Sequence, residues 1–183
     1  MDDIFAGGFI DPPRQSADAF RAALDAMARP GTRHAMGFAE APAPLSAAAA
    51  VLVLTLTDTG TQVHLAGAHD TDAIRRWIGF HTGAPICDAA HAQFAIGTWD
   101  ALHPLDRFGM GIAEYPDRSA TLVVEIAGFG AATHRLTGPG IDGHLDAHVP
   151  GNRPTRFPLG LDLFLTCGDT LSALPRTTRL EAL

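Results

Sequence analysis

The sequence predicts an α/β fold, a single-domain sandwich in which a mixed β-sheet is flanked by helices. Three observations point there. Helical apolar spacing near the start of the chain and again around residues 70–83 is interleaved with short runs rich in Val, Leu, Ile and Thr. The segment Leu161 to Thr166 is almost unbroken in apolar character, the pattern of a strand covered on both faces. Several of the predicted strands also follow one another too closely for helical crossovers, so the sheet must mix directions. A chain of 183 residues can bury about 70% of its unfolded surface around one core.

Taken in order, residues 1–15 contain Gly and Pro without any period and read as a flexible N-terminal arm, leaving 16–183 as the domain. Ser16 is expected to cap a first helix whose stripe Phe20, Leu24 and Met27 faces the core, with Pro30-Gly31 as its stop. Residues 32–38 suit a short strand, and Ala41-Pro42-Ala43-Pro44 a turn or spacer. Ser46 to Thr57 combines four alanines with Val51-Leu52-Val53-Leu54. Its length and the capping serine favour a buried helix over a strand. After the turn Asp58-Thr59-Gly60, a strand over Thr61 to Leu65 leads to a second amphipathic helix. Asp70 or Thr71 caps that helix, Ile74, Trp77 and Ile78 face inward, and Gly83 ends it. Strands are expected at Ala92 to Ile96, Ala120 to Ile126, His134 to Thr137 and Leu161 to Thr166. Ser172 to Leu174 and Thr177 to Leu180 should be paired or continuous past Pro175. Pro139, Pro150, Pro154 and Pro158 make residues 138–158 a loop-rich crossing.

Composition excludes several functions. A net charge of −7 argues against binding nucleic acid, which relies on a basic surface. No apolar run reaches the ~18 residues that span a bilayer. The acidic start Met1-Asp2-Asp3 is unlike a secretory signal, so a cytoplasmic location is expected. The two cysteines, Cys87 and Cys167, are then expected as free thiols, and two thiols are too few for an iron–sulfur cluster. Radical cleavage that depends on such a cluster therefore cannot reside here. All thirteen Lys+Arg residues are arginine. Without lysine the chain can form no Schiff base with pyridoxal phosphate and has no lysine base or phosphate-loop lysine. Any anion must be held by arginine, backbone amides or imidazolium.

Most motifs read as structure. Gly138-Pro139-Gly140-Ile141-Asp142-Gly143 matches G-x-G-x-x-G, but the proline-bearing segment that follows cannot open a helix, so a turn is expected rather than a dinucleotide site. His144, Asp146 and His148 lie in loop-like sequence and lack a third metal ligand; no metal is expected. Ser119 leads into a strand without the G-x-S-x-G elbow of a hydrolase. His81 falls at a helix C-terminus, where the dipole favours an imidazolium cap, with a pocket role as the alternative. Arg76 with Arg75 forms a solvated helix face or half of an interface. The leading site candidate is Arg176-Thr177-Thr178, a rigid fork of donors flanked by hydroxyls and suited to an anionic small molecule. Asp162 would be costly to bury alone, so it is expected to pair with Arg176 or Arg156. Whether this set locks the C-terminal strands or contacts a ligand or subunit stays open at the level of sequence.

Several segments, in fixed order, resemble one family. They are Phe80-His81-Thr82-Gly83-Ala84-Pro85, Ser119-Ala120-Thr121-Leu122-Val123, Leu136-Thr137-Gly138-Pro139-Gly140-Ile141, Phe157-Pro158-Leu159-Gly160-Leu161-Asp162 and Leu174-Pro175-Arg176-Thr177-Thr178. Together they resemble the H subunits of carbon–phosphorus lyase, the PhnH family, over roughly residues 15 to 181. The resemblance implies a reduced pyridoxal-phosphate-dependent transferase fold without the cofactor lysine. It implies an accessory, non-catalytic subunit of the carbon–phosphorus lyase core complex. That assembly forms a ribose 1-alkylphosphonate 5-triphosphate from ATP and an alkylphosphonate, and the single chain should be inactive alone. The implied partners are the G, I and J subunits, with a homodimer when isolated and no cofactor. Two rivals follow from the same residues: a nucleotide- or phosphonate-binding module, and an independent transferase with a residual pocket. Segment 97–118 carries no assignable role.

Overall fold

A computed structural model describes residues 6–183, apart from the side chains of Thr155 and Arg156. Its elements in chain order are α1 (Pro12–Ala28), β1 (His34–Ala35), α2 (Ala47–Leu56), β2 (Val63–Leu65), α3 (Asp72–His81), β3 (Phe94–Thr98) and the single turn α4 (Trp99–Leu102). Then follow β4 (Met110–Ile112), β5 (Tyr115–Ser119), β6 (Thr121–Glu125), β7 (His134–Thr137), β8 (Leu145–Ala147), β9 (Thr155–Arg156), β10 (Leu159–Gly160), β11 (Asp162–Cys167), β12 (Thr170–Leu174) and β13 (Arg179–Ala182).

The six-stranded sheet runs β1-β12-β11-β6-β3-β2. Strands β2, β3, β6 and β11 are parallel, and β12 and β1 extend the sheet antiparallel. The fold is thus α/β with a mixed sheet. Register sorts side chains by face. Leu65, Ile96, Val123, Phe164 and Ala173 lie opposite one another and belong to the core beneath the helices. The neighbouring row, Ala95, Leu122, Leu163 and Leu174, faces a second core. Period-two alternation with both faces apolar explains why β11 reads as a continuous apolar run. The second core is closed by a three-stranded antiparallel sheet, β13-β7-β8, through Leu136, Leu145 and Leu180.

Helix α2 is buried all round, from Ala48 to Val53, and the Ser46 hydroxyl caps it by accepting from the Ala49 amide at 3.2 Å. Helix α3 starts as the sequence suggests. The Thr71 hydroxyl accepts from the Ile74 amide at 3.2 Å, while Ile74, Trp77 and Ile78 are fully buried. Gly83, at φ +70°, closes its C-terminus.

Helix α1 departs from expectation twice. It begins at Pro12 with Asp11 as its N-cap residue, not at Ser16, because Pro12-Pro13 fixes φ for the first turn and brings no N–H there to satisfy. Its buried face is Ala19, Ala23 and Ala26, whereas Phe20 and Leu24 are 52% and 59% exposed. The alanines permit close approach to the alanine-rich start of α2, so the small residues pack inward and the large ones point out. Ahead of the helix, Gly8 bridges to Glu40 and the Trp77 indole donates to the Ala6 carbonyl at 3.2 Å. Residues 1–5 of the expected arm lie outside the described residues.

The C-terminal strands also differ from expectation. β12 and β13 are neither paired nor continuous, since Pro175 has no amide for a ladder and the chain crosses there to the other sheet. Segment 97–118 contains α4 and the hairpin β4–β5.

Candidate functional site

The crossing at Pro175 brings together the residues singled out near the C-terminus. Arg176 meets Asp162, the first residue of β11, side-on: Nε lies 3.2 and 3.1 Å from the two carboxylate oxygens and Nη2 donates to Oδ2. The Arg176 backbone amide donates to Asp162 Oδ1 at 2.7 Å, and Nη1 reaches the Pro116 carbonyl of β5. Both side chains are largely buried, 15% and 19% exposed. Every arm of the Arg176 fork is therefore used within the protein. The pair ties the β4–β5 hairpin to the start of β11 and the Pro175 crossing, where the β11–β12 ladder ends. Of the two partners expected for Asp162, Arg176 is the one found; the side chain of Arg156 lies outside those described.

The next residues line a cleft of about 350 Å³ bounded by Pro139, Phe157, Arg176, Thr177, Thr178 and Arg179. Its far wall is the Gly138–Ile141 turn, closed by the Ile141 amide on the Gly138 carbonyl at 3.2 Å. Glycine is required there. At φ +83° a side chain on Gly140 would collide with the Ala28 carbonyl at the end of α1, and one on Gly138 would press on Thr177. The glycines make a close approach between chain segments and do not open a helix, so the fingerprint match is a turn.

Joined to Thr178 through the Pro175 carbonyl is a residue that no sequence pattern marks. Arg153 is 6% exposed, and its Nη2 donates to the Pro175 carbonyl, which also accepts from the Thr178 amide at 2.9 Å. Nε and Nη1 of Arg153 have no hydrogen-bond partner among the described residues, nor does the buried Thr178 hydroxyl. Burial pulls the Arg153 guanidinium down to about 10, well below its ordinary value, against the opposing attraction of Asp162. It remains a cation at neutral pH. Flanked by prolines in Pro150-Gly151-Asn152-Arg153-Pro154, it reads in sequence as a solvated loop arginine.

A second buried polar group lies at the C-terminal ends of the parallel strands, where open α/β sheets commonly bind ligands. Glu125, the last residue of β6, accepts from the Ser46 amide at 2.7 Å and from the Thr166 hydroxyl at 3.0 Å. It thereby anchors the N-terminus of α2, where the helix dipole favours a carboxylate. His69, 3% exposed, places Nε2 at 4.0 Å from Glu125, beyond hydrogen-bond reach, and burial pushes its pKa down against the attraction of Glu125. The charge at the end of Leu122-Val123-Val124-Glu125 was the available signal, of the same kind that singled out Asp162.

The other expected residues lie apart from these. His81, the last residue of α3, packs its ring on Trp77 and Phe80 with centroids 4.8 and 5.0 Å away. It lines a different cleft with Phe9, Pro12, Pro13, Ser16 and Leu54, which shares no residue with that of Thr178. Ser119 ends β5 beside a cleft formed by Gly60, Gln62, Gln93, Phe94, Asp117, Arg118 and Thr121, with no histidine in its lining. Asp146 is bound by Arg135 at 2.9 and 3.2 Å. No cluster of three metal-ligating side chains occurs among the described residues. Arg75 is engaged by Asp70 at 2.5 and 2.9 Å. Cys87 and Cys167 are free thiols, and no helix is long and apolar enough to cross a membrane.

Comparison with known proteins agrees with the sequence motifs. The family described as bacterial phosphonate metabolism protein (PhnH) matches residues 7–181. The alpha-D-ribose 1-methylphosphonate 5-triphosphate synthase subunit PhnH of Rhizobium meliloti (strain 1021) is 38% identical over 97% of this chain and 96% of its own length. A putative C-P lyase subunit protein, HtxG, of Stutzerimonas stutzeri is 39% identical over 39% of this chain and 43% of its own length. The chain belongs to the PhnH family of bacterial phosphonate metabolism proteins.

Proposed function

We propose that this protein is an accessory subunit of the carbon–phosphorus lyase core complex. In this role it is needed for forming ribose 1-alkylphosphonate 5-triphosphate from ATP and an alkylphosphonate, and it carries out no turnover alone. The observation that carries this reading is the 38% identity, over 97% of the chain, to a subunit named for that synthase. The chemistry of the residues supports it. Displacing adenine from an anomeric carbon calls for a general acid at the leaving nitrogen and several cations around a triphosphate. Of the acid–base neighbours, His69 is buried and Glu125, largely buried, is committed to Ser46 and Thr166. The guanidinium of Arg176 is committed to Asp162 and Pro116.

The same reading takes the domain as a reduced pyridoxal-phosphate-dependent transferase fold. The residues do not fit that cofactor in its covalent form, because a chain whose cations are all arginine has no amine for a Schiff base. The proposed partners are the G, I and J subunits in the cytoplasm, with a homodimer for the isolated chain. Phe20 and Leu24, one turn apart on the outer face of α1, offer apolar surface for a second copy. The experiment is tagged recovery of this protein from phosphate-starved cells. Co-purification of G, I and J subunits is expected, and recovery of the chain with none of them overturns the reading.

A further inference from the structure

The charges around Pro175 do not balance. Two guanidiniums, Arg153 and Arg176, share one carboxylate, Asp162, among the described residues, and Asp162 is bound by Arg176. Arg153 is the more buried of the two, at 6% exposed. A buried cation without a counter-charge is costly, and buried donors without acceptors add to that cost. Three groups in the same place share the deficit. Nε and Nη1 of Arg153 and the hydroxyl of Thr178 lack hydrogen-bond partners among the described residues. The two residues that carry them meet at one acceptor, because Arg153 Nη2 and the Thr178 amide converge on the Pro175 carbonyl. Thr178 is also the residue through which this cluster meets the cleft, whose mouth carries the exposed Arg179. Pro139 and Phe157 form an apolar wall beside it.

We propose that this cleft binds a small phosphorus oxyanion, with Arg153 supplying the buried positive charge, Thr178 a hydroxyl contact and Arg179 a cation at the entrance. Arg176, the residue that the sequence favoured, serves by holding Asp162 and so leaves Arg153 only the attraction of a carboxylate already bound elsewhere. The volume of about 350 Å³ accommodates a phosphate or an alkylphosphonate, with the alkyl group against Pro139 and Phe157. In a low-dielectric setting a cation this deep acts on an anion more strongly than a solvated arginine could. The proposal concerns the isolated chain and needs no assembly, so its failure leaves the subunit reading standing, and co-purification tests that reading separately.

The test is calorimetric titration and thermal melting of the full chain with inorganic phosphate, methylphosphonate and, as a planar control, acetate. Saturable binding of phosphate or methylphosphonate at or below about 1 mM is expected. Tighter binding of methylphosphonate would identify a phosphonate as the occupant, and equal or weaker binding would identify free phosphate. Arg153→Met should weaken binding at least about tenfold, the scale of one charge-assisted contact. Thr178→Val serves as a second variant, with a weakening of severalfold, should Arg153→Met not fold. The proposal is overturned by three results: no saturation up to about 10 mM, a shift reproduced by chloride at equal ionic strength, or unchanged affinity in folded Arg153→Met or Thr178→Val.

Discussion

Replacing Asp162 by Asn tests the C-terminal lock most sharply, because the substitution keeps shape and removes only charge. The Asn side-chain oxygen can still accept from the Arg176 amide, which Asp162 receives at 2.7 Å. What is lost is the counter-charge to a guanidinium 15% exposed and to the deeper Arg153. Breaking a buried pair by removing one partner costs about 3–5 kcal/mol. The residual exposure of this pair places the expectation near the lower end, about 3 kcal/mol. At about 2–4 °C per kcal/mol for a domain of this size, the melting temperature should fall by about 6–12 °C. Arg176→Met should cost less than Asp162→Asn, since Asp162 then keeps the attraction of Arg153. The double variant should recover part of the loss, with a coupling of about 2 kcal/mol in a cycle measured by urea unfolding. Singles within about 0.5 kcal/mol of wild type, or losses that add to within that margin, would refute the reasoning.

Three further outcomes are expected. His69 is held neutral by burial, with its folded pKa below the ordinary 6.5. As pH falls below 6.5 the unfolded chain takes up the proton first, so stability drops, by up to about 1.4 kcal/mol per pH unit, until the folded pKa is reached. His69→Gln should lose less stability than wild type between pH 8 and pH 5 in urea titrations, and identical slopes would contradict this. Trp77→Ala removes a fully buried side chain and its bond to the Ala6 carbonyl, so it should cost about 3–5 kcal/mol; a loss under about 1 kcal/mol would contradict the packing described. Phe20→Asp with Leu24→Asp should leave the melting temperature within a few degrees while shifting the isolated protein from dimer to monomer in sedimentation. An unchanged mass would remove α1 as the pairing face.

The elements legible in the sequence were those with a single dominant signal. Helix α3 announces itself by Thr71, the inward set Ile74, Trp77 and Ile78, and Gly83. Helix α2 follows from Ser46 and length, and β11 from its two apolar faces. Helix α1 defeats its own large-residue stripe, because tight helix–helix approach selects alanine and turns Phe20 and Leu24 outward. The separation of β12 from β13 was hidden because a proline breaks a ladder without saying where the chain goes next. Asp162 with Arg176 was foreseeable, since a charge at the edge of an apolar run demands a partner. Arg153 was not, because its burial depends on how distant loops close over it, and nothing in Pro-Gly-Asn-Arg-Pro encodes that. His81 and Arg176 lie in separate clefts, which spacing along the chain could not reveal.

The central claim is that this chain serves an assembly without turnover of its own. Adenine release from ATP with methylphosphonate measures it directly, comparing the purified chain with the chain combined with the proposed G and I partners. The account predicts no release above the buffer rate from the isolated chain and restored release in the combination. Sustained adenine release by the isolated chain would contradict it.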